Sequence, residues 1–520
     1  MEALTAPGPE RASRPGGRSA LVFIGFMGAG KSTAARAVAR ALGERAHDAD
    51  LELERALGEP IESFFDRAGE EEFRRREEEL VLELLARPDV RVAALGGGAL
   101  GSIRVRDALR AHVVVHLEVD REVAWRRASG RGRPLARDRA KFEALHASRL
   151  PVYEAAADAT LPAADKALAA RAAPALAALR DAPPGTRLVW ARAASGDYPV
   201  FVGPGLLRAG FFHPLDGRRF AITDTNVAPL HAVSADWTHS IPPGELEKTL
   251  ARAEEVLRAM ATTGVERGDL VIAVGGGVVG DLAGFCATVY QRGIRHVQVP
   301  TSLVAQVDSA YGGKTGVDLP EGKNYVGAYR QPAAVLVDPG VLETLPPEEL
   351  AAGYAEVVKT ALIAGGGLWE SVRSGADPDA ATILGCLRTK LAVVAEDERD
   401  AGRRQVLNLG HTVGHAIEAA TGYERLRHGE AVALGLLCAL RLSDREELRA
   451  EVARLLAARG LPEQVSGVDP EEVVALVARD KKRRGGRVPF VLAEAPGRVS
   501  EGHEVSEEDL RTAVEEVCSA

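Results

Sequence analysis

Short apolar runs alternate with longer segments of helical periodicity through most of the chain. The runs at residues 20–24, 92–94, 113–117, 220–224 and 270–274 have the length and composition of buried strands. Strands that alternate with helices in this way predict parallel sheets flanked by helices, which is the α/β fold class. After Pro346 the apolar positions recur at helical spacing, so a mainly helical C-terminal part is expected.

Helix breakers divide this pattern into domains. An Ala-rich segment over residues 163–179 predicts a closing helix, and the two prolines and the glycine within residues 181–185 stop it. Because 520 residues are too many for one core, we predict a first domain over 19–180, a linker over 181–186, an α/β domain over 187–345 and a helical domain over 346–520. Residues 1–18 have no apolar run and predict a disordered tail, not a signal peptide.

Charge, cysteine content and hydropathy narrow the class of protein. The net charge of -9, with no basic cluster interleaved with aromatic residues, argues against a nucleic-acid partner. Cys286, Cys386, Cys438 and Cys518 lie far apart and form no CxxC pair, which is typical of reduced thiols in a cytoplasmic protein. The most apolar helical run, residues 431–440, is too short to cross a bilayer, so no membrane partner is expected.

A phosphate-binding loop directly follows the first predicted strand. Residues 25–32 read Gly-x4-Gly-Lys-Ser, and a helical pattern continues after them. Glycines let backbone N–H groups curl around phosphates, the lysine reaches the β and γ oxygens, and the serine hydroxyl is placed for Mg²⁺. The motif predicts Mg-ATP binding by Gly28, Gly30, Lys31, Ser32 and Thr33.

Four further features follow in order within residues 19–180. They are Asp50 after the first helix, Arg74 on a charged helix, the triplet Gly96, Gly97 and Gly98 after a strand, and an Arg-rich segment containing Arg133. Each has a plain alternative, since Asp50 suits a helix cap, Arg74 a solvated face and the triplet a tight turn. Taken together, these features resemble shikimate kinase over essentially the whole segment.

The resemblance to shikimate kinase implies a role for each residue. Asp50 would hold the shikimate hydroxyls and act as candidate base, while Arg74 and Arg149 would bind the substrate carboxylate. The glycine triplet would approach the ring, and Arg133 would stabilise charge on the transferred phosphoryl group. Another small P-loop kinase, such as gluconate kinase, is the alternative, but the two arginines and the triplet fit a carboxylated cyclic polyol better.

A second glycine triplet, at residues 275–277, follows the buried strand 270–274 and opens a helix. Its backbone amides and the helix N-terminus suit a pyrophosphate, although the sequence is not the Rossmann GxGxxG. Asp224 ends another strand, where it suits either a ribose hydroxyl or a helix cap. Glycine-flanked cations and polar groups then crowd residues 291–324, which indicates an anionic substrate.

Three histidines and one glutamate stand out in the helical part. His411 and His415 are four residues apart and would share a helix face, but Thr412 replaces the general-base glutamate of a zincin. The alternative to a metal site is that both histidines are structural residues of the core. Glu356 lies among apolar residues and, if buried, needs a cationic partner.

From about residue 187 onward the chain closely resembles 3-dehydroquinate synthase. The resemblance rests on the second glycine triplet with Asp281, Gln-Val-Asp-Ser at 306–309, Gly-Lys-Asn at 322–324, Ala-Glu-Val-Val-Lys at 355–359 and Asn-Leu-Gly-His-Thr at 408–412. It implies an open catalytic zinc site, or one for another divalent metal such as cobalt, formed by Glu356, His411 and His428. His415 would then face the substrate phosphate.

The same resemblance implies the cofactor and substrate contacts. The NAD site would comprise Asp224, Glu245, Lys248, Gly276, Gly277, Asp281, Thr301, Ser302 and Lys323. The substrate, 3-deoxy-D-arabino-heptulosonate 7-phosphate, would be lined by Asp308, Lys314, Lys359, Lys390, Arg404, Asn408 and His415, with Arg292 and Asn324. Arg404 is preferred to Arg403 because of its spacing to Asn408. One of Lys481 and Lys482 would supply a further cation.

These resemblances predict a bifunctional cytoplasmic enzyme of aromatic-precursor biosynthesis that forms a homodimer through its C-terminal half. A related sugar-phosphate cyclase such as a deoxy-inosose synthase, and a metal-dependent alcohol dehydrogenase, are alternatives for the second half. The lysine-rich phosphate site disfavours the dehydrogenase. Either half could also be an inactive domain kept for binding or assembly, although every site residue considered is retained.

Overall fold

The structure is a computed structural model that describes residues 20–129, 138–163, 166–483 and 488–519. The predicted tail over residues 1–18, Arg133 of the Arg-rich segment and the side chains of Lys481 and Lys482 lie outside this description. The chain forms two compact units. The first unit comprises Met1–Trp190 and Pro199–Leu215, and the second comprises Ala191–Tyr198 and Asp216–Ala520.

The first unit contains a parallel sheet in the order β2-β3-β1-β4-β5. Its central strand pairs on both sides, with Leu21 opposite Val92 on one side and Val113 on the other. The phosphate loop therefore leaves the sheet between two neighbouring strands, where the carboxyl ends of parallel strands form a crevice. The strands are β1 (Leu21–Ile24), β2 (Ala46–Asp48), β3 (Val92–Ala94), β4 (Val113–Glu118) and β5 (Ala159–Pro162).

Within the described residues, seven helices accompany this sheet. They are α1 (Lys31–Ala41), α2 (Ala49–Leu57), α3 (Ile61–Ala86), α4 (Ile103–Leu109), α5 (Arg121–Ala128), α6 (Arg139–Ala156) and α7 (Lys166–Leu179). Side-chain caps begin several of them; for example, the Asp138 carboxylate accepts the backbone N–H of Lys141 at α6. Helix α3 changes direction at Gly69, whose φ of 83° is not helical. This break separates a first part that contributes Phe64 to a small apolar cluster from a second part rich in Arg–Glu pairs.

Two strands, β6 (Arg187–Ala193) and β7 (Gly196–Val202), precede the α/β part of the second unit. Its parallel sheet has the order β14-β11-β10-β8-β9, and a separate antiparallel hairpin pairs β12 with β13. Helices α8 (Leu250–Thr262) and α9 (Gly277–Val289) complete this part. The strands are β8 (Arg219–Asp224), β9 (Trp237–Ile241), β10 (Leu270–Gly275), β11 (Arg295–Pro300), β12 (Lys314–Leu319), β13 (Gly322–Tyr329) and β14 (Ala334–Val337).

The remainder of the second unit is mainly helical. Its helices are α10 (Pro347–Ala364), α11 (Gly366–Arg373), α12 (Ala380–Glu396), α13 (His411–Ala420), α14 (His428–Leu442), α15 (Glu446–Ala457), α16 (Pro470–Arg483) and α17 (Glu507–Glu515). The described part of this region also contains the short strands β15 (Val465–Ser466), β16 (Phe490–Ala495), β17 (Arg498–His503) and β18 (Cys518–Ser519). Helices α10 and α14 are apolar on most faces, as expected for helices buried by their neighbours.

Two glycines let α14 approach its neighbours closely. A Cβ atom at Gly429 would overlap the carbonyl of Ala352 on α10, and one at Gly435 would overlap the carbonyl of Gly410 just before α13. Because only glycine fits at these contacts, the backbones of α10, α13 and α14 meet without intervening side chains. The three helices carry Glu356, His411 and His428, respectively.

The α/β fold class is confirmed, and each apolar run predicted as a strand coincides with one to within about a residue at its ends. The predicted closing helix appears as α7, and the helical pattern after Pro346 appears as α10. Within the described ranges, no helix combines the length and hydropathy needed to cross a membrane.

Candidate active sites

The phosphate loop of the first unit wraps around its own lysine, Lys31. The Lys31 ammonium donates to the carbonyl oxygens of Gly25 at 3.0 Å and Phe26 at 3.3 Å. Gly28 has a φ of 84°, and a Cβ there would lie 2.8 Å from the carbonyl oxygen of Ala124. Ser32 and Thr33 belong to the first turn of α1. The loop, the lysine and a helix N-terminus thus form a concave site suited to phosphate.

Beside this loop lies a cavity of about 570 Å³ that four predicted substrate residues line, namely Arg74, Gly97, Gly98 and Arg149. Arg74 donates to Oε2 of Glu77 at 2.6 Å, while Arg149 and the Tyr153 hydroxyl donate to the carbonyl of Gly97 at 2.8 and 2.6 Å. Burial raises the pKa of Glu77, and Arg74 only partly offsets this effect. Two guanidinium groups at one cavity can bind a carboxylate.

The first glycine triplet packs directly against these charged groups. A side chain at Gly96 would collide with the carboxylates of Asp50 and Glu77, and one at Gly98 would collide with the Arg74 guanidinium. Asp50 lies in the first turn of α2, whose N-cap residue is Asp48. The structure therefore brings together Asp50, Arg74, Arg149 and the triplet, as the sequence predicted.

In the second unit, α9 begins at the second glycine triplet, with Gly276 as its N-cap residue. A Cβ at Gly276 would lie 3.3 Å from the hydroxyl of Ser302. On the same helix, Asp281 pairs with the buried Lys248 at 2.6 Å, and Lys248 also donates to Oδ1 of Asn324 at 2.6 Å. Five of the residues predicted for NAD or substrate thus meet around one helix N-terminus.

Two of the other residues predicted for NAD, Asp224 and Thr301, lie at the carboxyl ends of strands of the parallel sheet. Asp224 ends β8, and its Oδ1 accepts the N–H groups of Asn226 and Val227, both at 2.9 Å. This is the capping geometry that the sequence left open as an alternative. Glu245 lies 3.4 Å from the ammonium of Lys323, and Thr301 directly follows β11.

Glu356, His411 and His428 converge, as the family resemblance implied. Oε1 of the almost fully buried Glu356 lies 3.4 Å from Nε2 of both histidines. Burial alone would raise the pKa of Glu356, but Lys359 and the histidines outweigh it and hold the pKa well below its usual value.

The surroundings of this triad fit a metal ion. Among the described residues, neither carboxylate oxygen of Glu356 receives a well-directed hydrogen bond, although a buried carboxylate normally does. Nδ1 of His411 faces the carbonyl of Leu409 at 3.2 Å, and Nδ1 of His428 faces Glu418 at 3.4 Å. Both Nε2 atoms are thereby directed towards Glu356. One carboxylate and two imidazoles with their outer nitrogens engaged are a typical ligand set for zinc.

A compact group of charges adjoins the triad. Lys359 lies 2.5 Å from Oε2 of Glu356 and 3.8 Å from Oδ1 of Asp308, and Lys390 lies 2.8 Å from the same Oδ1. Burial would raise the pKa of Asp308, but the two lysines lower it to about 2. Burial lowers the pKa of Lys390 to about 8, partly opposed by Asp308. The carboxylates of Asp308 and Glu356 offset the two ammonium groups, and the neighbouring Arg404 guanidinium, which acts on Lys390, adds a further positive charge that favours an anionic ligand.

The remaining predicted substrate residues have separate contacts of their own. Arg404 is buried and donates to the carbonyls of Glu398 and Gly312, whereas Arg403 is exposed. Lys314 pairs with Asp400 at 2.6 Å. The ring of His415 is 5.2 Å from that of His411. Asn408 ends a short helical turn before α13.

Arg292 stands apart from the other predicted residues. It is exposed and follows the C-terminal end of α9, whereas Gly276, Asp281 and Lys248 cluster near the N-terminal end. With a rise of about 1.5 Å per residue, a helix of this length separates its ends by roughly 20 Å. Among the described residues, the structure therefore does not bring Arg292 to the group of predicted residues around Gly276, Asp281 and Lys248.

The sequence analysis missed Glu77, Tyr153 and Glu418, which are all buried and contact predicted site residues. Each lies three or four residues from a predicted residue on the same helix, namely Arg74, Arg149 and His415. That spacing puts side chains on one helix face and was a usable signal.

Family profiles match both units. The shikimate kinase profile covers residues 27–180, and profiles described as 3-dehydroquinate synthase N-terminal and C-terminal cover residues 238–352 and 353–483.

The curated relatives and solved structures described next are similar to the 3-dehydroquinate synthase part of the chain. The 3-dehydroquinate synthase of Halorhodospira halophila is 43% identical over 333 residues, spanning 60% of this chain and 94% of that protein. That of Agrobacterium fabrum is 42% identical over 363 residues, spanning 64% and 96%. The structure of 2-epi-5-epi-valiolone synthase from Streptomyces hygroscopicus with NAD⁺ and Zn²⁺ bound is similar with a TM-score of 0.56 at 27% identity, over 61% of this chain and 95% of that one.

The two sets of matches agree with the two groups of site residues, one around the phosphate loop and one around Glu356. Together they account for nearly all of the described chain. The chain belongs to the 3-dehydroquinate synthase family and carries a shikimate kinase domain in front, so that one polypeptide is both a phosphotransferase and a carbon–oxygen lyase.

Proposed function

We propose that the first unit transfers the γ-phosphoryl group of Mg-ATP to the 3-hydroxyl of shikimate. We propose also that the second unit converts 3-deoxy-D-arabino-heptulosonate 7-phosphate to 3-dehydroquinate and phosphate, with bound NAD and zinc or another divalent metal such as cobalt. The observation that carries the second proposal is the convergence of Glu356, His411 and His428 beside Lys359, Lys390 and Asp308.

The chain's own residues have distinct tasks in the proposed cyclase. Lys390, Lys359 and Arg404 supply positive charge that would hold the phosphate and carboxylate of the substrate. Glu356, His411 and His428 would hold the metal, and the residues around Lys248 and Asp281 would hold NAD. When bound, NAD supplies a hydride acceptor that is restored within one turnover, and the metal supplies Lewis-acid polarisation of a substrate hydroxyl.

The buried cations favour the cyclase reaction, in which phosphate leaves, over simple alcohol oxidation. Oxidation of a ring hydroxyl to a ketone acidifies the neighbouring C–H bond, so loss of that proton can expel phosphate by β-elimination. A site for alcohol oxidation alone does not need several buried cations. The charge group around Asp308 therefore supports a substrate that carries phosphate.

A related sugar-phosphate cyclase is the competing assignment, because 2-deoxy-scyllo-inosose synthase is also structurally similar, with a TM-score of 0.55 at 25% identity. The higher identity of 42–47% to relatives named 3-dehydroquinate synthase favours our assignment. The bound NAD⁺ and Zn²⁺ of the valiolone synthase structure support the proposed cofactors.

In the proposed kinase, Lys31 and the loop amides would hold the phosphates, and Ser32 would contact Mg²⁺. Arg74 and Arg149 would bind the shikimate carboxylate at the cavity beside the loop. Asp50, which adjoins Gly96, would accept the proton of the attacking hydroxyl. Arg133 retains its predicted role towards the transferred phosphoryl group.

Three wider expectations belong to the same proposal. We propose that the protein acts in the cytoplasm as a homodimer formed through its C-terminal half, with domains at residues 19–180, 187–345 and 346–520. All four cysteines are free and buried, which suits a reducing compartment.

Phosphate release from 3-deoxy-D-arabino-heptulosonate 7-phosphate tests the cyclase proposal. We expect release that requires both NAD and metal, stops after chelation, resumes with added zinc and leaves no net NADH. NADH accumulation without phosphate would favour a dehydrogenase, and no turnover with the metal-loaded protein would contradict the proposal. Shikimate-dependent ADP formation tests the kinase, and equal activity with gluconate would contradict its substrate assignment.

A further inference from the structure

A buried carboxylate lies behind the proposed metal site. Glu418 is on α13, three residues after His415, and only 3% of its side chain is exposed. Its neighbours on the helix, Ala416 and Ile417, are buried apolar residues. Burial of a carboxylate without partners costs free energy, so the groups that contact Glu418 indicate its role.

Glu418 contacts one residue of each proposed cofactor site. Both of its oxygens lie 3.4 Å from Nδ1 of His428, and Oε1 lies 3.1 Å from the ammonium of Lys323. A carboxylate can only accept hydrogen bonds, so Nδ1 of His428 carries the proton in this contact. The other nitrogen, Nε2, lies 3.4 Å from Oε1 of Glu356 and is the one that faces the proposed metal site.

The second histidine of the triad is fixed in the same way by a different group. Nδ1 of His411 faces the carbonyl of Leu409 at 3.2 Å, which accepts a hydrogen bond. His411 can use this backbone carbonyl because it begins α13 directly after residues 409 and 410. His428 begins α14, and its Nδ1 instead faces a side chain from another helix.

We propose that Glu418 is the positioning residue for His428. It holds the Nδ1–H tautomer and the ring orientation that direct Nε2 towards the metal, while Lys323 holds the carboxylate in place. This inference rests on the proposed metal site of Glu356, His411 and His428. A carboxylate behind a ligating histidine increases the basicity of that histidine, and its loss typically weakens metal affinity about 10- to 100-fold.

Glu418 as a direct ligand is the competing arrangement. One atom each of His415, Glu418 and His428 lies within 4.8 Å of the others. The Lys323 ammonium, however, already contacts Oε1 of Glu418, and a cation at that oxygen would face it at close range. The positioning role needs no displacement of Lys323.

Metal affinity of the purified full-length protein tests this role. Competition of Co²⁺ and Zn²⁺ with a chromogenic chelator, without nucleotide, gives affinities for wild type, Glu418→Ala, Glu418→Gln and Glu356→Gln. We expect about 10- to 100-fold weaker binding for Glu418→Ala. Glu418→Gln keeps an acceptor for Nδ1–H, so it should restore much of the affinity. Glu356→Gln, which removes a ligand, should cost more than either.

The visible absorption of bound Co²⁺ gives a second readout. We expect Glu418→Ala to shift the Co²⁺ bands and Glu418→Gln to shift them less, because the orientation of His428 differs. Glu516→Gln is the matched control, since Glu516 pairs with Arg441 and Arg449. It should bind Co²⁺ with wild-type affinity and spectrum. Thermal unfolding of the metal-free variants identifies any that fail to fold. If Glu418→Ala fails to fold, the comparison of Glu418→Gln with wild type tests the positioning role.

The possible outcomes separate this inference from the proposed function. Wild-type affinity and spectrum in both Glu418 variants would overturn the positioning role. Loss in Glu418→Gln equal to that in Glu356→Gln would overturn it in favour of a direct ligand. If His411→Ala left the metal affinity of wild type unchanged, the proposed metal site itself would be wrong.

Discussion

Oδ1 of Asp308 lies 2.8 Å from the ammonium of Lys390, which also donates to the backbone carbonyl of Asp308 at 2.7 Å. Asp308 comes from the α/β part of the second unit and Lys390 from helix α12 of the helical part. Lys359 approaches the same carboxylate from α10. The Asp308 carboxylate thus connects helices α10 and α12 to the α/β part of the second unit. It holds two ammonium groups where an anionic substrate would bind.

The pKa of Lys390 predicts a basic limit to cyclase activity. Burial lowers this pKa to about 8; Asp308 opposes the shift, while Lys359 and Arg404 reinforce it. The ammonium is therefore charged below pH 8 and loses its proton as the pH rises through that value. We expect kcat/KM for the phosphate ester to fall above pH 8, because kcat/KM reports the free enzyme.

A Lys390→Arg variant checks the origin of this limit, since a guanidinium stays charged at all of these pH values. Its pH profile should lack the limb near pH 8, whatever its absolute activity. A limb that persists unchanged in Lys390→Arg would show that another group titrates.

Replacing Asp308 by Asn should destabilise the second unit. Without the carboxylate, the ammonium groups of Lys359 and Lys390 remain buried with their charges less compensated. Loss of one member of a buried ionic group costs about 3–5 kcal/mol. We expect a cost of about 3 kcal/mol in the free energy of unfolding, measured by denaturant titration of the second unit's transition.

Glu254→Gln is the matched control for this change. Glu254 pairs with Arg258 on α8, and both side chains are more than half exposed; such pairs contribute less than about 1 kcal/mol. Equal losses of stability in the two variants would contradict the special role of the buried group.

Gly429→Ala should weaken the metal site without altering any ligand. The added Cβ would overlap the carbonyl of Ala352, so α14 must move away from α10 and carry His428 away from Glu356. Overpacking of this kind costs about 1–3 kcal/mol. We expect a lower unfolding temperature and weaker Co²⁺ binding. Gly367→Ala, at a helical glycine with nothing within 4 Å of the new Cβ, should change neither by much.

Arg74→Met should impair shikimate binding in the first unit. Arg74 lines the cavity and is held by Glu77, and a charged hydrogen bond contributes about 1.5–3 kcal/mol. We expect the KM for shikimate to rise about tenfold or more while the KM for ATP changes little. Arg76→Met removes an exposed arginine that pairs with Glu72 on the same helix. It should leave both constants near wild type, and an equal effect in the two variants would contradict the assignment.

Much of the fold and of the sites followed from local sequence. The phosphate loop and the second glycine triplet are continuous in the chain, and their strand and helix contexts are visible in the hydropathy pattern. His411 and His415 are also neighbours on one helix. For Glu356, His411 and His428, spacing alone did not give the ligand set, because three helices supply it; the family resemblance did.

Other features depend on contacts that no local pattern encodes. Whether Asp308 lies between Lys359 and Lys390 depends on how three segments pack, and so does the contact of Glu418 with His428. Asp224 shows the opposite case, since its carboxylate caps the following turn, as the local alternative predicted. Its role towards NAD, like that of Arg292 towards the substrate, stays a prediction.

The most direct test of two independent active sites in one chain is a pair of single substitutions. Lys31→Met removes the ammonium of the phosphate loop, and Glu356→Gln removes the central carboxylate of the metal triad. Both reactions are measured on the same purified preparations, as shikimate-dependent ADP formation and as NAD- and metal-dependent phosphate release. We predict that Lys31→Met loses only the first activity and Glu356→Gln only the second. If either variant, correctly folded, kept the activity it should lose, the account of that half would be contradicted.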